Sequence, residues 1–142
     1  ENASDFDLSR YDFVADCVDT VAAKIELAVR CEAAGTPLIA AMGAGNKLDP
    51  TKFVVCDLFE TQFDGLARIM RKECRKRGID SLKVVYSEEA PMTPLAPASE
   101  DADRTSPEDP PARRKDTPGS VSFVPSVAGL ILAGEVVKDL TR

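Results

Sequence analysis

There is no histidine and no tryptophan in these 142 residues, and only 6% of them are aromatic. Without an imidazole the chain cannot supply a histidine general base, and every serine or cysteine triad that relies on one is excluded within it. Cysteine occurs four times, at Cys17, Cys31, Cys56 and Cys74, but never as a C-x-x-C pair. With neither paired cysteines nor histidine, no structural zinc site is expected, and the thiols read as buried side chains kept reduced. Positive charge is also short: 18 Lys and Arg against 24 Asp and Glu leave a formal net charge of -6. That excludes a surface that is one continuous nucleic-acid footprint while leaving room for a local basic patch. The most apolar stretch, Val121 to Val137, is interrupted by Ser126, Gly129, Gly134 and Glu135 and is too broken to span a bilayer. No cleavable signal is recognisable, so a cytoplasmic protein without membrane contact is expected. A G-x-G-x-x-G phosphate loop is missing as well.

What the chain does have is an apolar run ending in two carboxylates where a helix begins, YDFVADCVDTVAAK from Tyr11 to Lys24. Phe13, Val14, Ala15 and Val18 fit a short strand buried on both faces, and Asp19-Thr20 supplies cap chemistry for a helix with apolar residues at Val21, Ile25, Ala28 and Val29. The carboxyl ends of strands in an open parallel sheet border the ligand crevice. Asp16 and Asp19 therefore stand where an α/β protein places a ligand, and Asp19 is the candidate to hold magnesium on a nucleotide's phosphates. The alternative is that Asp19 only accepts hydrogen bonds from the first helical amides, worth about 1 kcal/mol.

The rest of the chain reads as one α/β domain over residues 1–142. Gly35 ends the first helix and Leu38 to Met42 form a second buried strand. That strand runs into Gly43-Ala44-Gly45-Asn46, either a tight turn or a place where backbone approaches a neighbour or ligand closely. Lys52 to Phe59 form a third strand, and the short turn before it implies antiparallel pairing. Gln62 to Arg77 read as a helix whose second half carries Arg68, Arg71, Lys72, Arg75, Lys76 and Arg77. These cations either complement the helix dipole as a solvated face or contact a phosphate backbone. Leu82 to Ser87 are a fourth strand, and the Pro-rich segment 91–118, which includes Arg113-Arg114-Lys115, reads as a mobile crossing loop. The last helix spans Pro125 to Leu140, where small Ala128, Gly129, Ala133 and Gly134 allow close packing against the sheet or a second subunit.

Together, YDFVADCVDTVAAKIELAVRCEAAGTPLIAAMGAGNKLDP, FVVCDLFETQFDGLARIMRKECRKRGI, LKVVYSEEAP and GSVSFVPSVAGLILAGEVV resemble the C-terminal half of the ThiF/MoeB/HesA superfamily of adenylate-forming enzymes. GAGNKLDP, the DLFET stretch and the RxxRKxxRKRGI helix resemble the branch that dehydrates threonylcarbamoyladenosine in tRNA. The resemblance implies the C-terminal half of a Rossmann-like ATP-binding fold, with a mixed parallel and antiparallel sheet flanked by helices. It also implies an ATP-dependent enzyme that adenylates the threonylcarbamoyl carboxylate beside a tRNA anticodon and closes a ring with release of AMP. On that likeness Asp19 matches the aspartate that holds magnesium on ATP. Lys24, Gly43, Gly45 and Asn46 would support the nucleotide nearby, and Arg68, Arg71, Lys72, Arg75, Lys76 and Arg77 would contact tRNA.

Two departures shape the expectation. Superfamily members that charge a ubiquitin-like or sulfur-carrier protein use a cysteine in the crossing segment, and many hold zinc, whereas this chain has no cysteine after Cys74. Carrier-protein activation, with Cys56 as its thiol, is therefore the alternative reading, and a non-catalytic dimerisation module is a third. The superfamily's glycine-rich loop and triphosphate-gripping residues precede the aspartate strand, which here begins within the opening residues. The chain is therefore expected to be the C-terminal portion of a longer enzyme, to bind ATP poorly by itself, and to cover its exposed sheet edge by forming a homodimer.

Overall fold

The computed structural model describes residues 3–93 and 118–142. Most of the crossing segment expected at 91–118, including Arg113, Arg114 and Lys115, lies outside the described residues. Four strands form one sheet: β1 (Val14–Asp16), β2 (Leu38–Ala41), β3 (Phe53–Asp57) and β4 (Lys83–Ser87). Their order is β1-β2-β4-β3, with β1, β2 and β4 parallel and β3 antiparallel to β4. The antiparallel strand is thus present, but β3 pairs with β4, reached through a helix, and not with β2 across the short turn. β2 already has β1 on one side and β4 on the other, so no edge is left for β3.

Three helices cover the sheet: α1 (Val21–Ala34), α2 (Gly65–Lys76) and α3 (Phe123–Leu140). Residues of α1 and α2, among them Ala28, Ala67, Met70 and Cys74, bury one sheet face together with Ala40, Val84 and Tyr86. On the other face Val124, Ala128 and Leu132 of α3 close over Ile39, Phe53 and Val85. β2 and β4 are covered on both sides, which is why Leu38–Ala41 and the middle of β4, Val84, Val85 and Tyr86, are apolar without alternation.

Glycine stops both early helices by the same device. Gly35 at φ 68° and Gly78 at φ 74° take the left-handed conformation. After α1, Gly35 N–H donates to Glu32 O and Thr36 N–H to Cys31 O; after α2, Gly78 N–H donates to Arg75 O and Ile79 N–H to Cys74 O. Each pair is a Schellman closure, and at α2 it is sealed by buried Ile79 beside buried Cys74.

Several boundaries differ from expectation. β1 stops at Asp16, leaving Val18 exposed. β3 stops at Asp57, whose side chain caps a short turn over Leu58–Glu60 in a reciprocal capping box with Glu60. α2 starts at Gly65, because Phe63 has φ 56° and Asp64 is the cap. α3 starts two residues before Pro125, whose missing N–H falls among amides that have no helical partner. Of the small residues of α3, Ala128 packs on the sheet, but Gly129 and Gly134 have nothing within 4 Å of a Cβ position. Close approach to the sheet does not require those glycines.

Candidate functional site

Because β1, β2 and β4 are parallel, the segments leaving them lie on one edge of the sheet, and the start of antiparallel β3 joins them there. Along this edge run the turn from Asp16 to Thr20, the turn from Gly43 to Lys47, and the chain from Ser87 to Pro91.

Asp16 and Lys24 form a buried ion pair. Lys24 Nζ donates to Asp16 Oδ2 at 2.9 Å, with both side chains essentially inaccessible. Asp16 Oδ1 accepts from Val18 N–H at 3.1 Å, so the same carboxylate ties α1 to the turn leaving β1. Burial pushes the Asp16 carboxyl up from its ordinary value, while the charge and hydrogen bond of Lys24 pull it back. These two residues were candidates for cofactor contact; within this fold they satisfy one another and hold the turn. Asp19 is different. It is exposed, and among the described residues it caps nothing and has one hydrogen bond, from Thr20 Oγ1 at 3.4 Å. The capping alternative is therefore not what the carboxylate does, and it stands exposed on the turn leaving β1. Among the described residues no group of three or more acidic or thiol side chains forms a metal cage. An exposed carboxylate is the donor that magnesium uses when substrate phosphates and water complete its shell.

The glycine turn is packed by protein. A Cβ on Gly43 would lie 3.0 Å from Asp64 Oδ2, and one on Gly45 would lie 2.8 Å from Pro118 Cβ. Both glycines thus permit approach of other chain segments. Asn46, left-handed at φ 58°, works as a clasp. Its Oδ1 accepts from Gly119 N–H at 2.6 Å, its N–H donates to Gly119 O at 2.8 Å, and its own carbonyl accepts from Met92 N–H at 2.7 Å. The described ends of the crossing segment are therefore joined at one residue.

Lys47 and Asp64 form a second buried pair, and neither was a candidate from the sequence. Lys47 Nζ donates to Gly43 O at 3.0 Å, Ser87 O at 3.2 Å and Asp64 Oδ2 at 3.3 Å, while Asp64 Oδ1 caps α2 by accepting from Ala67 N–H at 2.7 Å. The ends of β2 and β4 and the start of α2 meet at this ammonium. A sequence signal did exist for Asp64, an acidic residue three before Ala67 at the onset of an apolar stripe, but nothing local marked Lys47 as buried. Glu89 was also missed; its carboxylate accepts from Leu48 N–H at 2.9 Å and Asp49 N–H at 2.9 Å.

The basic face of α2 divides. Arg71 donates to Thr61 O at 2.8 Å and to Thr61 Oγ1, so it fastens the segment before the helix. Lys76 and Arg77 both pair with Glu73, at 2.8 and 2.7 Å, and hold its carboxyl down at about 2. Arg75 lies over the Phe59 ring, 5.0 Å from its centroid, and stays exposed. Arg68 and Lys72 are exposed and have no ion-pair partner among the described residues. Of the six cations expected at an RNA surface, Arg68, Lys72 and Arg75 are exposed without an ion-pair partner among the described residues, Lys76 and Arg77 are exposed but paired with Glu73, and Arg71 is tied to Thr61.

The sequence model of the ThiF family matches residues 1–142. The chain belongs to the ThiF family. It is 41% identical over 134 residues to the tRNA threonylcarbamoyladenosine dehydratase of Bacillus subtilis, covering 92% of this chain and 51% of that protein. The corresponding Escherichia coli protein is 27% identical over 154 residues, covering 99% of this chain and 56% of the relative. Among solved structures, the E. coli dehydratase TcdA in complex with ATP has a TM-score of 0.74 at 23% identity, covering 99% of this chain and 52% of that one. A further TcdA structure reaches a TM-score of 0.76 at 23% identity, covering 99% and 52% of the two chains. The α/β architecture with a mixed sheet is thus that of TcdA. This ThiF-family chain spans about half the length of these relatives, and no described helix is long and apolar enough to cross a membrane.

Proposed function

We propose that this chain is the C-terminal half of an ATP-dependent enzyme that converts threonylcarbamoyladenosine in tRNA to its cyclic, dehydrated form. The observation that carries the reading is an exposed, uncommitted Asp19 on a turn locked by the buried Asp16–Lys24 pair. It is supported by relatives named for that dehydratase activity and by a related structure titled as an ATP complex. In this reading the threonylcarbamoyl carboxylate attacks the α-phosphorus of ATP and pyrophosphate leaves. The carbamoyl group then attacks the activated carbonyl carbon, and AMP leaves carrying one carboxylate oxygen. Magnesium, when bound, would supply charge neutralisation on the phosphates, and Asp19 would hold it. Asp16 and Lys24 keep Asp19's turn in one geometry. Neither leaving group needs to be protonated, because both are phosphate anions, and the proton lost by the attacking carbamoyl group passes to solvent water, so no histidine is required.

The nucleotide's glycine-rich cradle belongs, in this reading, to the other half of the enzyme, so the present chain alone binds ATP weakly. In this reading the enzyme works in the cytoplasm. Arg68, Lys72 and Arg75 face the tRNA. A second copy is proposed to cover Phe123, Leu130 and Val137, which are seven residues apart on α3 and 50%, 73% and 60% exposed. Monomeric behaviour of the full-length protein in light scattering at micromolar concentration would count against that homodimer. Activation of a ubiquitin-like carrier finds no support: burial pushes the half-buried Cys56 thiol up from its ordinary value, the reverse of a reactive cysteine.

The deciding experiment incubates the full-length protein with ATP, magnesium and tRNA bearing threonylcarbamoyladenosine, and follows the nucleoside by mass spectrometry. The expected result is an ATP-dependent loss of one water that disappears in Asp19→Ala. No loss with authentic substrate refutes the reading.

A further inference from the structure

Phe63, beside the carboxyl edge, is a large apolar side chain that finds little cover among the described residues. It is 78% exposed, more than any other large hydrophobic residue described. Its φ of 56° lies in the left-handed region, where a residue with a bulky side chain is a genuine outlier. The backbone has no freedom to relax, because both flanks are fixed. Arg71 grips Thr61 two residues earlier, and Asp64, the next residue, is buried in its contacts with Lys47 and Ala67. Such a conformation persists when neighbours over-determine it, and glycine or asparagine would occupy it at lower cost.

The position also rules out the ordinary use of an apolar residue there. Phe63 immediately precedes the helix cap, where it would normally staple onto an apolar side chain in the first turn. The residue at the stapling position is Arg68, which is exposed. The ring instead borders a cavity of about 210 Å³ lined by Gly43, Gly45, Lys47, Gly65, Pro91 and Pro118 among others. A cavity of this size is below the roughly 300 to 1,000 Å³ that encloses a whole small molecule. It suits a single flat ring. Gly65, which lines the same cavity, has nothing within 4 Å of a Cβ position.

Charge indicates what kind of ring. From Arg68, the exposed cations continue to Lys72 and Arg75, spaced four and three residues apart along the same face of α2. This line runs for about 10 Å at the helical rise. In a protein of net charge -6, a cationic line leading away from a presented aromatic is matched by a polyanion that carries flat rings. Single-stranded RNA is recognised in this way, with unstacked bases on aromatic faces and phosphates on Lys and Arg.

We propose that Phe63 is a stacking platform for an unpaired RNA base, with Arg68 and Lys72 receiving the adjoining phosphates. The inference rests on the tRNA reading above and names the surface that would grip the unpaired anticodon-loop nucleotides. Stacking and phosphate contact respond differently to salt, which separates the two roles.

The test is binding of a fluorescent anticodon stem-loop bearing threonylcarbamoyladenosine to the full-length protein, followed by anisotropy across a salt series. Variants are Phe63→Asn, Phe63→Trp and Arg68→Gln/Lys72→Gln, each checked by thermal melting. Phe63→Asn suits the left-handed φ and is expected to melt no lower than wild type, yet to weaken binding by about fivefold or more, with an unchanged salt slope. Phe63→Trp is expected to retain affinity, and the double glutamine variant to flatten the slope. Wild-type affinity in Phe63→Asn overturns the proposal and leaves the enzymatic reading standing. So does a shift from dimer to monomer without loss of RNA affinity, which assigns the ring to a contact between copies. If the wild type itself neither binds nor dehydrates this RNA, the tRNA reading fails and this inference falls with it.

Discussion

Replacing Lys47 by methionine tests the most consequential contact on the carboxyl edge. The ammonium has three acceptors, Gly43 O, Ser87 O and Asp64 Oδ2, at 3.0, 3.2 and 3.3 Å. Methionine fills much of the volume but donates nothing, leaving a carboxylate that is 4% exposed without its counter-charge. Removing one partner of a buried pair costs about 3 to 5 kcal/mol, a large share of a stability of roughly 5 to 15 kcal/mol. Asp64→Asn is the informative companion, because its side-chain oxygen can still accept from Ala67 N–H, so the helix cap survives while the charge is lost. In the double variant neither charge remains uncompensated. Its cost should fall short of the summed single costs by about 1 kcal/mol or more. Urea unfolding of the full-length protein, followed by circular dichroism with the m-value held as a check, gives all three numbers. A Lys47→Met cost below about 1 kcal/mol, or strict additivity, would refute the view that this pair pins the edge together.

Asp19→Ala should leave stability within about 0.5 kcal/mol of wild type, since the carboxylate is exposed and caps nothing; a larger drop in melting temperature would mean a structural role. Glu135 is held down at about 2 by hydrogen bonds from Lys138 and Lys83. A lowered folded-state value makes its contribution fully present above the ordinary 4.5 and lost as pH falls toward 2. The melting temperatures of Glu135→Gln and wild type should therefore converge over that acid range, and a constant gap would contradict the assignment. Cys17 is exposed, whereas Cys31 and Cys74 are buried with thiols pushed up by desolvation. Iodoacetamide on the native protein should modify Cys17 first by mass spectrometry, and equal labelling of the buried pair would show that the helices open readily.

The sequence by itself determined the elements that depend on local chemistry. Apolar periodicity located the three helices and four strands of the described residues, and Gly35 marked a helix end because a left-handed residue completes that closure. It also singled out Asp19, through the local pattern of a strand, an acidic turn and a helix. What tertiary structure decided was everything that depends on partners distant in the chain. β3 joined β4 because β2 had no free edge, a fact of strand order that no turn length encodes. Asp16 and Lys24 became a buried, closed pair, Arg71 was tied to Thr61, and Lys76 and Arg77 paired with Glu73 while staying exposed, because facing neighbours set what each charge meets. Nothing local marked Lys47 as buried, and only the folded ends of β2 and β4 bring their carbonyls to it. A residue's type and spacing fix what it can do, whereas the acceptors around it, assembled from remote segments, fix what it does.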